Sequence, residues 1–320
     1  MNRPIVVIGS SNTDMIVRAG HIPRPGETVL GGEFSTAPGG KGANQAVAAA
    51  RAAGRVVFLA RVGADLFGAQ AVEGFRKDGI DVSRIGSDPE APSGVALIMV
   101  DDAGENSIAV APGANARLTP DDIRASSDLV TQAALILMQL EIPLGTVRTA
   151  AELAHHAGVP VILNPAPAQK LDEGLLGLID IITPNESEAE ELTGVSVETD
   201  DRLPDAAGRL HGTGIDHVLI TLGARGVYVS SSEWTGFVPG FEVQAVDSTA
   251  AGDVFNGVLA VAIAEGKGLE ASTRLACAAA ALSVTRLGAQ PSAPTRREIE
   301  RFANHSSANG LGHFQGGGHD

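Results

Sequence analysis

Cysteine is almost absent from this chain, since Cys277 is the only one in 320 residues. A single thiol excludes an internal disulfide framework and suits a reducing compartment, so we expect a cytoplasmic protein. Long apolar runs are also missing, because no stretch approaches the roughly 18 residues that a membrane span needs. The run Ile5–Ile8 is too short for the apolar part of a secretion signal and is typical of a buried strand.

Positive charge is scarce as well. The 23 Lys and Arg residues are outnumbered by 38 Asp and Glu residues, which gives a formal net charge of -15. Such a field repels nucleic acid, and no basic cluster with interleaved aromatic residues offsets it. A nucleotide site would therefore need local positive potential from backbone N–H groups, a helix terminus or bound cations. An apolar content of 44% is sufficient for a full core.

Short β-branched runs alternate along the chain with Ala-rich segments. The runs are apolar at nearly every position, as expected of strands buried on both faces of a parallel sheet, and lie at 5–8, 56–59, 135–138, 159–163, 179–182 and 217–221. The helical segments are 43–53, 66–77, 144–156, 186–192, 205–211, 251–265, 270–286 and 295–303. This alternation predicts an α/β fold with a doubly wound, mostly parallel sheet and helices on both faces.

Two stretches break the alternation. Residues 13–34 and 93–110 contain half-apolar strands and turn residues without a helix between them, which predicts antiparallel strands outside the main sheet. We therefore expect a single α/β domain over 1–303 that carries a small β-sheet lid. Residues 304–320 are rich in Gly, His, Asn and Ser, and we expect them to form a disordered tail.

The segment 246–255, VDSTAAGDVF, leads from small residues into an Ala-rich helical pattern. A glycine-containing loop that opens a helix presents free backbone N–H groups, and the helix dipole adds positive potential. Such a site can hold the charge that builds on a phosphoryl group during transfer. Asp253 falls in the predicted first turn, where its carboxylate could accept the proton of an attacking hydroxyl. Taken alone, the segment also fits an ordinary helix start.

A second glycine-rich segment, PGGKGANQ at 38–45, precedes a predicted helix. Its glycines allow a ligand to approach the backbone, and Lys41 and Asn44 can bind hydroxyl or phosphate oxygens. The spacing is not that of a Walker A phosphate loop. Asn12 and Asp14 follow the first predicted strand, where open α/β sheets place ligands, and Asp14 can accept two hydroxyl hydrogens of a polyol. The alternatives are a glycine-rich turn and a turn-capping Asp.

Two further segments follow predicted strands. TPNESEAE at 183–190 places Asn185, Glu186 and Glu188 at a predicted helix start, near where magnesium phosphate could bind. Acidic residues in a first turn also stabilise any helix, so this pattern has a purely structural alternative. TLGARG at 221–226 is a strand end with a glycine-rich turn, which fits either a nucleotide-contacting loop or a hairpin.

These four segments occur in the order found in the ribokinase-like carbohydrate kinase family, which the chain resembles from about residue 4 to residue 303. GGKGANQAVAA and AAGDVFNG are similar to the two family signatures. The resemblance implies ATP-dependent phosphorylation of a terminal sugar hydroxyl, with Mg²⁺ as cofactor, K⁺ as activating cation and a homodimer formed through the lid. LMQLE, NPAPA and TRLGAQPS favour D-ribose, phosphorylated at O5, over 2-deoxyribose, fructose or a nucleoside.

The resemblance also implies a role for each matching residue. The positions that match sugar contacts are Asn12, Asp14, Gly40, Lys41, Gly42, Asn44, Glu141 and Asp253. Asp253 matches the catalytic base, and the anion hole is matched by Ala250, Ala251 and Gly252. The positions that match ATP contacts are Asn185, Thr221, Leu222, Gly223, Ala224, Arg225, Gly226, Gly252 and Cys277. Glu188 matches the residue linked to Mg²⁺ through water, and the K⁺ loop is matched by Asp247, Thr249, Ser283, Arg286, Gly288 and Ser292.

Cys277, Ser248 and the Gly-rich tail depart from the family pattern, the last two without an obvious consequence. Cys277 replaces the His or Asn expected beside adenine, although a buried thiol can still contact a purine as a small apolar group. Two other classes of protein also need to be weighed. A non-catalytic sugar-sensing protein would be expected to lack Asp253 or the Ala-Ala-Gly segment, and both are present. A dinucleotide-dependent oxidoreductase would need G-x-G-x-x-G after the first strand, which the GSSN that begins at Gly9 does not supply.

Overall fold

The computed structural model describes residues 3–30 and 32–308. The strands within these ranges are β1 (Ile5–Ile8), β2 (Asn12–Arg18), β3 (Glu33–Gly39), β4 (Val56–Gly63), β5 (Ile85–Asp88), β6 (Gly94–Val100), β7 (Asn106–Ala111), β8 (Leu135–Met138), β9 (Val161–Leu163), β10 (Ile181–Ile182), β11 (His217–Thr221), β12 (Gly226–Ser231) and β13 (Gly236–Pro239). The α-helices are α1 (Lys41–Arg51), α2 (Leu66–Lys77), α3 (Pro120–Arg124), α4 (Ser127–Thr131), α5 (Leu144–His156), α6 (Glu173–Leu176), α7 (Glu186–Thr193), α8 (Leu203–His211), α9 (Ala251–Ala264), α10 (Leu269–Ser283) and α11 (Arg296–Ala308). Among the helices of this described part, none is both long enough and apolar enough to cross a membrane.

Nine strands form the main sheet, in the order β13-β12-β11-β10-β9-β8-β1-β4-β5. Every neighbouring pair from β5 to β11 is parallel, and β12 and β13 are added antiparallel at one edge. Helices between the parallel strands cover both faces of the sheet, because parallel neighbours need a crossover connection. The predicted α/β fold class is confirmed.

The residues of β1 alternate between two apolar clusters, one on each face of the main sheet. Ile5 and Val7 belong to the cluster that contains α1, α9 and α10. Val6 and Ile8 belong to the opposite cluster, which contains α5 and α8. All four side chains are fully buried. A central strand covered on both faces explains why this run is apolar at every position.

The other four strands form a separate small sheet, the lid, in the order β3-β2-β6-β7. The outer pairs β2–β3 and β6–β7 are antiparallel, but the central pair β2–β6 is parallel, so the expectation of antiparallel strands is wrong for that pair. The reason is that β1 and β5 run in the same direction and each leads directly into a lid strand. The lid also extends beyond the expected residue 34, because β3 continues to Gly39.

The last helix is longer than the sequence predicted. The segment 295–303 was expected to be helical, whereas α11 runs to Ala308. Ile299 is fully buried in the cluster with α1, α9 and α10, and Phe302 packs against that cluster, which explains why the helix forms. The remainder of the expected disordered tail, 309–320, lies outside the described residues.

Candidate active site

The order of strands in the main sheet reverses at β1, since β4 and β5 lie on one side and β8 to β11 on the other. In open α/β sheets, ligands bind outside the carboxyl ends of the strands at such a point. Ser10 follows β1 there, and its hydroxyl donates to Glu141 Oε2, after β8, at 2.5 Å. The same oxygen accepts from the backbone N–H of Lys41 at 2.9 Å. Glu141 therefore joins both strand ends to the start of α1.

Asp14 reaches this crevice from the lid, because it lies within β2 rather than in a turn. A Cβ atom at Gly39 would collide with both carboxylate oxygens of Asp14, so only glycine leaves room for them. Burial, followed by the negative charges of Glu141 and Asp253, raises the pKa of Asp14 to about 6. Since those charges act on Asp14, the three carboxylates lie within electrostatic reach of one another.

Asn12 lies at the junction between β1 and the lid and is 6% exposed. The amide of Asn115 donates to Asn12 Oδ1 at 2.8 Å and to Ser11 O at 3.1 Å. Ser11 N donates back to Asn115 Oδ1 at 2.9 Å. Asn115, which the sequence analysis did not identify, thus fixes the position from which β2 enters the lid.

Helices α1 and α9 are in close contact at Gly257, which has no side chain. A Cβ atom at that position would lie 2.6 Å from Gln45 O and 2.9 Å from Ala49 N of α1. At the beginning of α1, Gly40 has φ 90°, a conformation that glycine adopts readily. This close approach brings Asn44 and its neighbour Gln45 to Asp253.

Asp253 lies in the first turn of α9 and is only 6% exposed. Asn44 Nδ2 donates to its Oδ2 at 2.9 Å, and Gln45 Nε2 donates to its Oδ1 at 2.9 Å. Burial raises the pKa of Asp253, whereas the charge of Lys41 and the two amide donors oppose that increase. Asn44 Oδ1 is buried without a hydrogen-bond partner among the described residues, so it can accept a hydroxyl from a ligand.

The turn before Asp253 has the geometry of an anion site. Ala250 has φ 60° and ψ 15°, a left-handed conformation that is uncommon for a non-glycine residue. It leads into α9, a helix of 14 residues whose N-terminus has no side-chain cap. A Cβ atom at Gly252 would meet nothing within 4 Å, so the space beside this turn is open. The N–H of Ala251 already donates to Ser248 O at 3.2 Å, so the anion would be favoured by the open space at Gly252 and by the helix dipole.

Lys41 lies in the same cluster of charges. Burial lowers the pKa of its ammonium group, but the negative charges of Asp253, Glu141 and Glu188 together raise that pKa above its ordinary value. The lysine is therefore a cation among carboxylates at the crevice. The predicted residues Asp14, Lys41, Asn44, Glu141, Glu188 and Asp253 are thus brought together.

The expected nucleotide-binding residues flank the ends of β10 and β11. Asn185 caps α7 by accepting from Glu188 N at 2.8 Å, and Glu188 Oε2 accepts from Asn185 N at 2.9 Å. Burial raises the pKa of Glu188 above its ordinary value, and the Asn185 N–H and the charge of Lys41 offset only part of that increase. An isolated bridge joins Asn185 to Thr221, so the two strand ends meet. The pattern at 183–190 is therefore a true helix cap, and it also presents Glu188 to Lys41.

The turn from β11 to β12 is a hairpin that begins with a short 3-10 helix, Gly223–Arg225. Gly226 has φ 102°, and a Cβ atom there would collide with Val238 O, so this position requires glycine. The guanidinium of Arg225 forms ion pairs with Glu186 and Asp200 at the surface. Ala224 and Leu222 lie in the same turn. The hairpin interpretation of TLGARG is confirmed, and contact with a nucleotide stays a prediction.

Cys277 lies on α10, within the apolar cluster that contains α1 and α9, and is 6% exposed. Burial raises the pKa of its thiol to about 12, and the charge of Arg274 lowers it only partly. The thiol is therefore neutral. It can contribute only a small apolar contact to a bound base.

The residues expected to form a cation loop come from two segments that lie side by side. Val246 N donates to Val284 O at 2.7 Å, and Gly288 N donates to Asp247 Oδ2 at 2.8 Å. Thr249 N donates to Asp247 Oδ1 at 2.9 Å. The hydroxyls of Ser283 and Ser292 donate to Ala280 O and Ala289 O, and the guanidinium of Arg286 pairs with Glu298 at 2.6 Å. The guanidinium of Arg286 has no lone pair to offer a cation, so that residue could contribute only its backbone carbonyl.

Sequence reasoning missed a set of buried polar side chains beneath Asp253. They are connected by hydrogen bonds and comprise Gln45, Gln139, Asn164, Thr183 and Asn256. Asn256 Nδ2 also donates to Gly252 O at 2.8 Å, next to the anion site. A usable signal was present, because all five residues lie in segments already singled out: PGGKGANQ, LMQLE, NPAPA, TPNESEAE and AAGDVFNG.

Comparison with known proteins defines the class of this protein. Residues 2–296 match the pfkB family of carbohydrate kinases. The chain belongs to the pfkB family of carbohydrate kinases, which confirms the resemblance found from sequence. It is 46% identical over 306 residues to a ribokinase of Haemophilus influenzae, with 96% of this chain and all of that protein aligned.

Two other similarities bear on the choice of sugar. A deoxyribokinase of Salmonella typhi is 39% identical over 306 residues, covering 95% of this chain and 99% of that protein. The solved structure of Arabidopsis thaliana ribokinase complexed with ribose and ATP superposes with a TM-score of 0.89 and 35% identity. That superposition covers 95% of this chain and 99% of the other. The family and the fold are thus shared along nearly the whole length.

Proposed function

We propose that this carbohydrate kinase transfers the γ-phosphoryl group of ATP to O5 of D-ribose, giving ribose 5-phosphate and ADP. The observation that carries the proposal is the position of Asn44, which donates to Asp253 and keeps an unpaired buried acceptor. A hydroxyl that donates to that acceptor lies beside the carboxylate and the open first turn of α9. Those are the parts that phosphoryl transfer to an alcohol requires.

The comparisons favour ribose among the possible sugars. The Haemophilus influenzae relative is named a ribokinase at 46% identity, and the Arabidopsis thaliana ribokinase is described as complexed with ribose and ATP. The deoxyribokinase of Salmonella typhi, at 39% identity, makes 2-deoxyribose the second candidate acceptor. The two sugars differ by one hydroxyl, so discrimination depends on polar groups that only ribose can satisfy.

The mechanism follows from the arrangement of the side chains. Asp14 and Asn44 accept hydrogen bonds from sugar hydroxyls, and Glu141 holds the start of α1 in place. Asp253 removes the proton of the terminal hydroxyl as its oxygen attacks the γ-phosphorus in line. The N–H of Gly252, the dipole of α9 and the charge of Lys41 stabilise the negative charge that spreads over the phosphoryl oxygens. The lid covers the sugar and excludes water as a competing acceptor.

A divalent cation would reach this site together with the nucleotide. Within the described residues, no group of three or more His, Cys, Asp or Glu side chains could hold a metal ion by itself. Glu188 keeps Oε1 free of the helix cap and faces Lys41, so it fits an indirect link to Mg²⁺ through water. Mg²⁺ bound to ATP neutralises phosphate charge.

A monovalent cation fits the loop formed by 246–249 and 284–292. Its possible ligand atoms are all oxygens, from the Asp247 carboxylate, hydroxyl groups and backbone carbonyls, a set suited to a hard cation. Burial raises the pKa of Asp247, but Thr249 and the Gly288 N–H outweigh that effect and lower it, so the carboxylate is charged. K⁺ held there would add positive charge next to the turn that begins α9.

Replacement of K⁺ by Na⁺ is expected to lower kcat several-fold, because the smaller ion does not fill the same set of carbonyl ligands. The measurement is ADP release at saturating ribose and ATP in buffers that differ only in the chloride salt. Asp247→Asn should remove most of the difference between the two salts, whereas Asp205→Asn, on the exposed side of α8, should preserve it. Equal rates in both salts for the unmodified protein would discredit the cation site.

A substrate panel tests the proposed reaction. ADP release is measured with D-ribose, 2-deoxyribose, fructose and adenosine at equal concentrations. We expect the highest kcat/KM for D-ribose. A higher value for 2-deoxyribose would replace ribose with the second candidate, and ribose binding without ADP release from any of the four would indicate a sugar sensor.

The lid supports a proposal about assembly. Every residue of β7 is exposed, and two of its apolar side chains, Ile108 and Val110, are about half exposed, at 55% and 51%. Apolar side chains on an open edge strand favour a partner sheet. We propose a homodimer formed through the lids. A cytoplasmic location, where ATP is available, suits the reaction.

A further inference from the structure

A chain of hydrogen-bonded, buried amide side chains leads from Asp253 into the protein interior. Gln139, which follows β8, donates from Nε2 to Gln45 Oε1 at 2.6 Å. Gln45 in turn donates from Nε2 to Asp253 Oδ1 at 2.9 Å and to Asn164 Oδ1 at 3.0 Å. Both glutamines are fully buried, at 0% exposure. They therefore act on the carboxylate from inside the protein.

The Asp253 carboxylate and the hydrogen bond from Gln139 favour the same orientation of the Gln45 amide. An amide oxygen only accepts and an amide nitrogen only donates. Gln45 Oε1 accepts from Gln139, and the Gln45 nitrogen faces the accepting oxygens of Asp253 and Asn164. If the amide were reversed, an oxygen would face the carboxylate, which is repulsive.

Asn44 and Gln45 hold the two carboxylate oxygens in different ways. Asn44 binds Oδ2 and still has an unpaired acceptor, so it remains available to a ligand. Gln45 binds Oδ1, and its other partners are the buried Gln139 and Asn164. The asymmetry leaves Oδ2 as the oxygen on the side where a sugar hydroxyl could bind.

We propose that Gln45, oriented by Gln139, is a positioning residue that fixes the plane of the Asp253 carboxylate and selects Oδ2 as the proton-accepting oxygen. This inference rests on the proposed role of Asp253 as the general base. A hydrogen bond donated to a buried carboxylate stabilises its ionised form. Gln45 therefore keeps the base ready to accept a proton in an environment that would otherwise favour the neutral acid.

The direct test is Gln45→Met, which keeps the length of the side chain and removes its donor. We expect kcat to fall about 10- to 100-fold, as for loss of one hydrogen bond to a charged group, while the dissociation constant for ribose stays within about threefold. The acid limb of the pH profile of kcat should move up by about one pH unit, because Asp253 ionises at higher pH once the donor is lost. The other ionisable groups around Asp253 are Asp14, Lys41, Glu141 and Glu188. They are unchanged in this variant.

Gln139→Met provides a second variant that leaves Gln45 in place. Without the donor from Gln139, the Gln45 amide can rotate, so we expect a smaller shift of the acid limb in the same direction. If Gln45→Met does not fold, the pH profile of Gln139→Met alone tests the positioning role of Gln45. The matched control is Thr146→Val, which removes a buried hydrogen bond of 2.6 Å to Leu118 O on the far side of the sheet. Its melting temperature should fall while kcat and the acid limb stay at their original values.

The outcomes separate this inference from the proposed function. An inactive Asp253→Asn variant combined with an unmoved acid limb in both glutamine variants would overturn the positioning role and leave the base assignment intact. Near-normal turnover by Asp253→Asn would remove the base assignment itself. A fall in kcat with no pH shift, accompanied by the same fall in Thr146→Val, would reduce the role of Gln45 to general stability.

Discussion

Asp253→Asn is expected to bind ribose and ATP but to turn over about 10²- to 10⁴-fold more slowly than the unmodified protein. The substitution keeps the size of the side chain and removes its ability to take a proton. Binding should survive because Asp14, Asn44 and the nucleotide-binding strand ends are untouched. The measurements are kcat from ADP release and the dissociation constant for ribose from calorimetry.

A control variant separates loss of the base from a general loss of negative charge. Asp121→Asn removes a carboxylate that is 89% exposed on α3, and we expect it to leave kcat unchanged. The Asp253→Asn variant also places an amide nitrogen next to the donor of Asn44 or Gln45. A modest drop in melting temperature is therefore expected. Turnover close to that of the unmodified protein would contradict the assignment of Asp253 as base.

The sequence predicted best those elements whose pattern is strong and whose ends are well marked. The bounds of β1, β8, β11, α2 and α5 match the predicted segments residue for residue. In α2 the reason is local, because Asp65 caps the helix by accepting from Gly68 N at 2.9 Å. By contrast, α1 begins at Lys41 rather than at residue 43, since Gly40, rather than the alanine pattern, sets its start.

Strand pairing and the connections of the lid were harder to predict. The hairpin partner β12 and the edge strand β13 did not appear among the predicted strands, and β2–β6 was expected to be antiparallel. Pairing direction depends on how each strand leaves the main sheet, and no local pattern of residues encodes it. The left-handed Ala250 was likewise not predictable, because this conformation is rare for alanine and is held by its surroundings.

The amide network beneath Asp253 shows most clearly what a sequence pattern alone cannot predict. Gln45 and Asp253 are 208 positions apart in the chain, and Gln45 and Gln139 are 94 apart. Each residue belongs to a segment that could be noticed from sequence. The direction of the hydrogen bonds between those segments depends on the close approach of α1 and α9, which the missing side chain of Gly257 permits. A pattern can nominate such residues, but only the packing of the elements connects them.

Asp14→Asn is expected to raise the KM for ribose about 100-fold, because a charged acceptor of two hydroxyl hydrogen bonds is replaced by a neutral amide. The pKa of Asp14 is about 6 in the ligand-free protein, so its carboxylate gains a proton as the pH falls below that value. The KM of the unmodified protein should therefore rise between pH 7 and pH 5. In Asp14→Asn that rise should be much smaller. Initial rates at a series of ribose concentrations and pH values provide the measurement.

Gly39→Ala tests the same group without changing it. The new Cβ would occupy the space of the Asp14 carboxylate, and the flexible side chain has to move away. We expect a higher KM for ribose, with kcat at saturation reduced less, because Asp253 and the first turn of α9 are unaffected. Gly74→Ala is the matched control, since a Cβ there meets nothing within 4 Å, and it should leave KM unchanged. An unaltered KM in both Asp14→Asn and Gly39→Ala would show that the lid carboxylate does not hold the sugar.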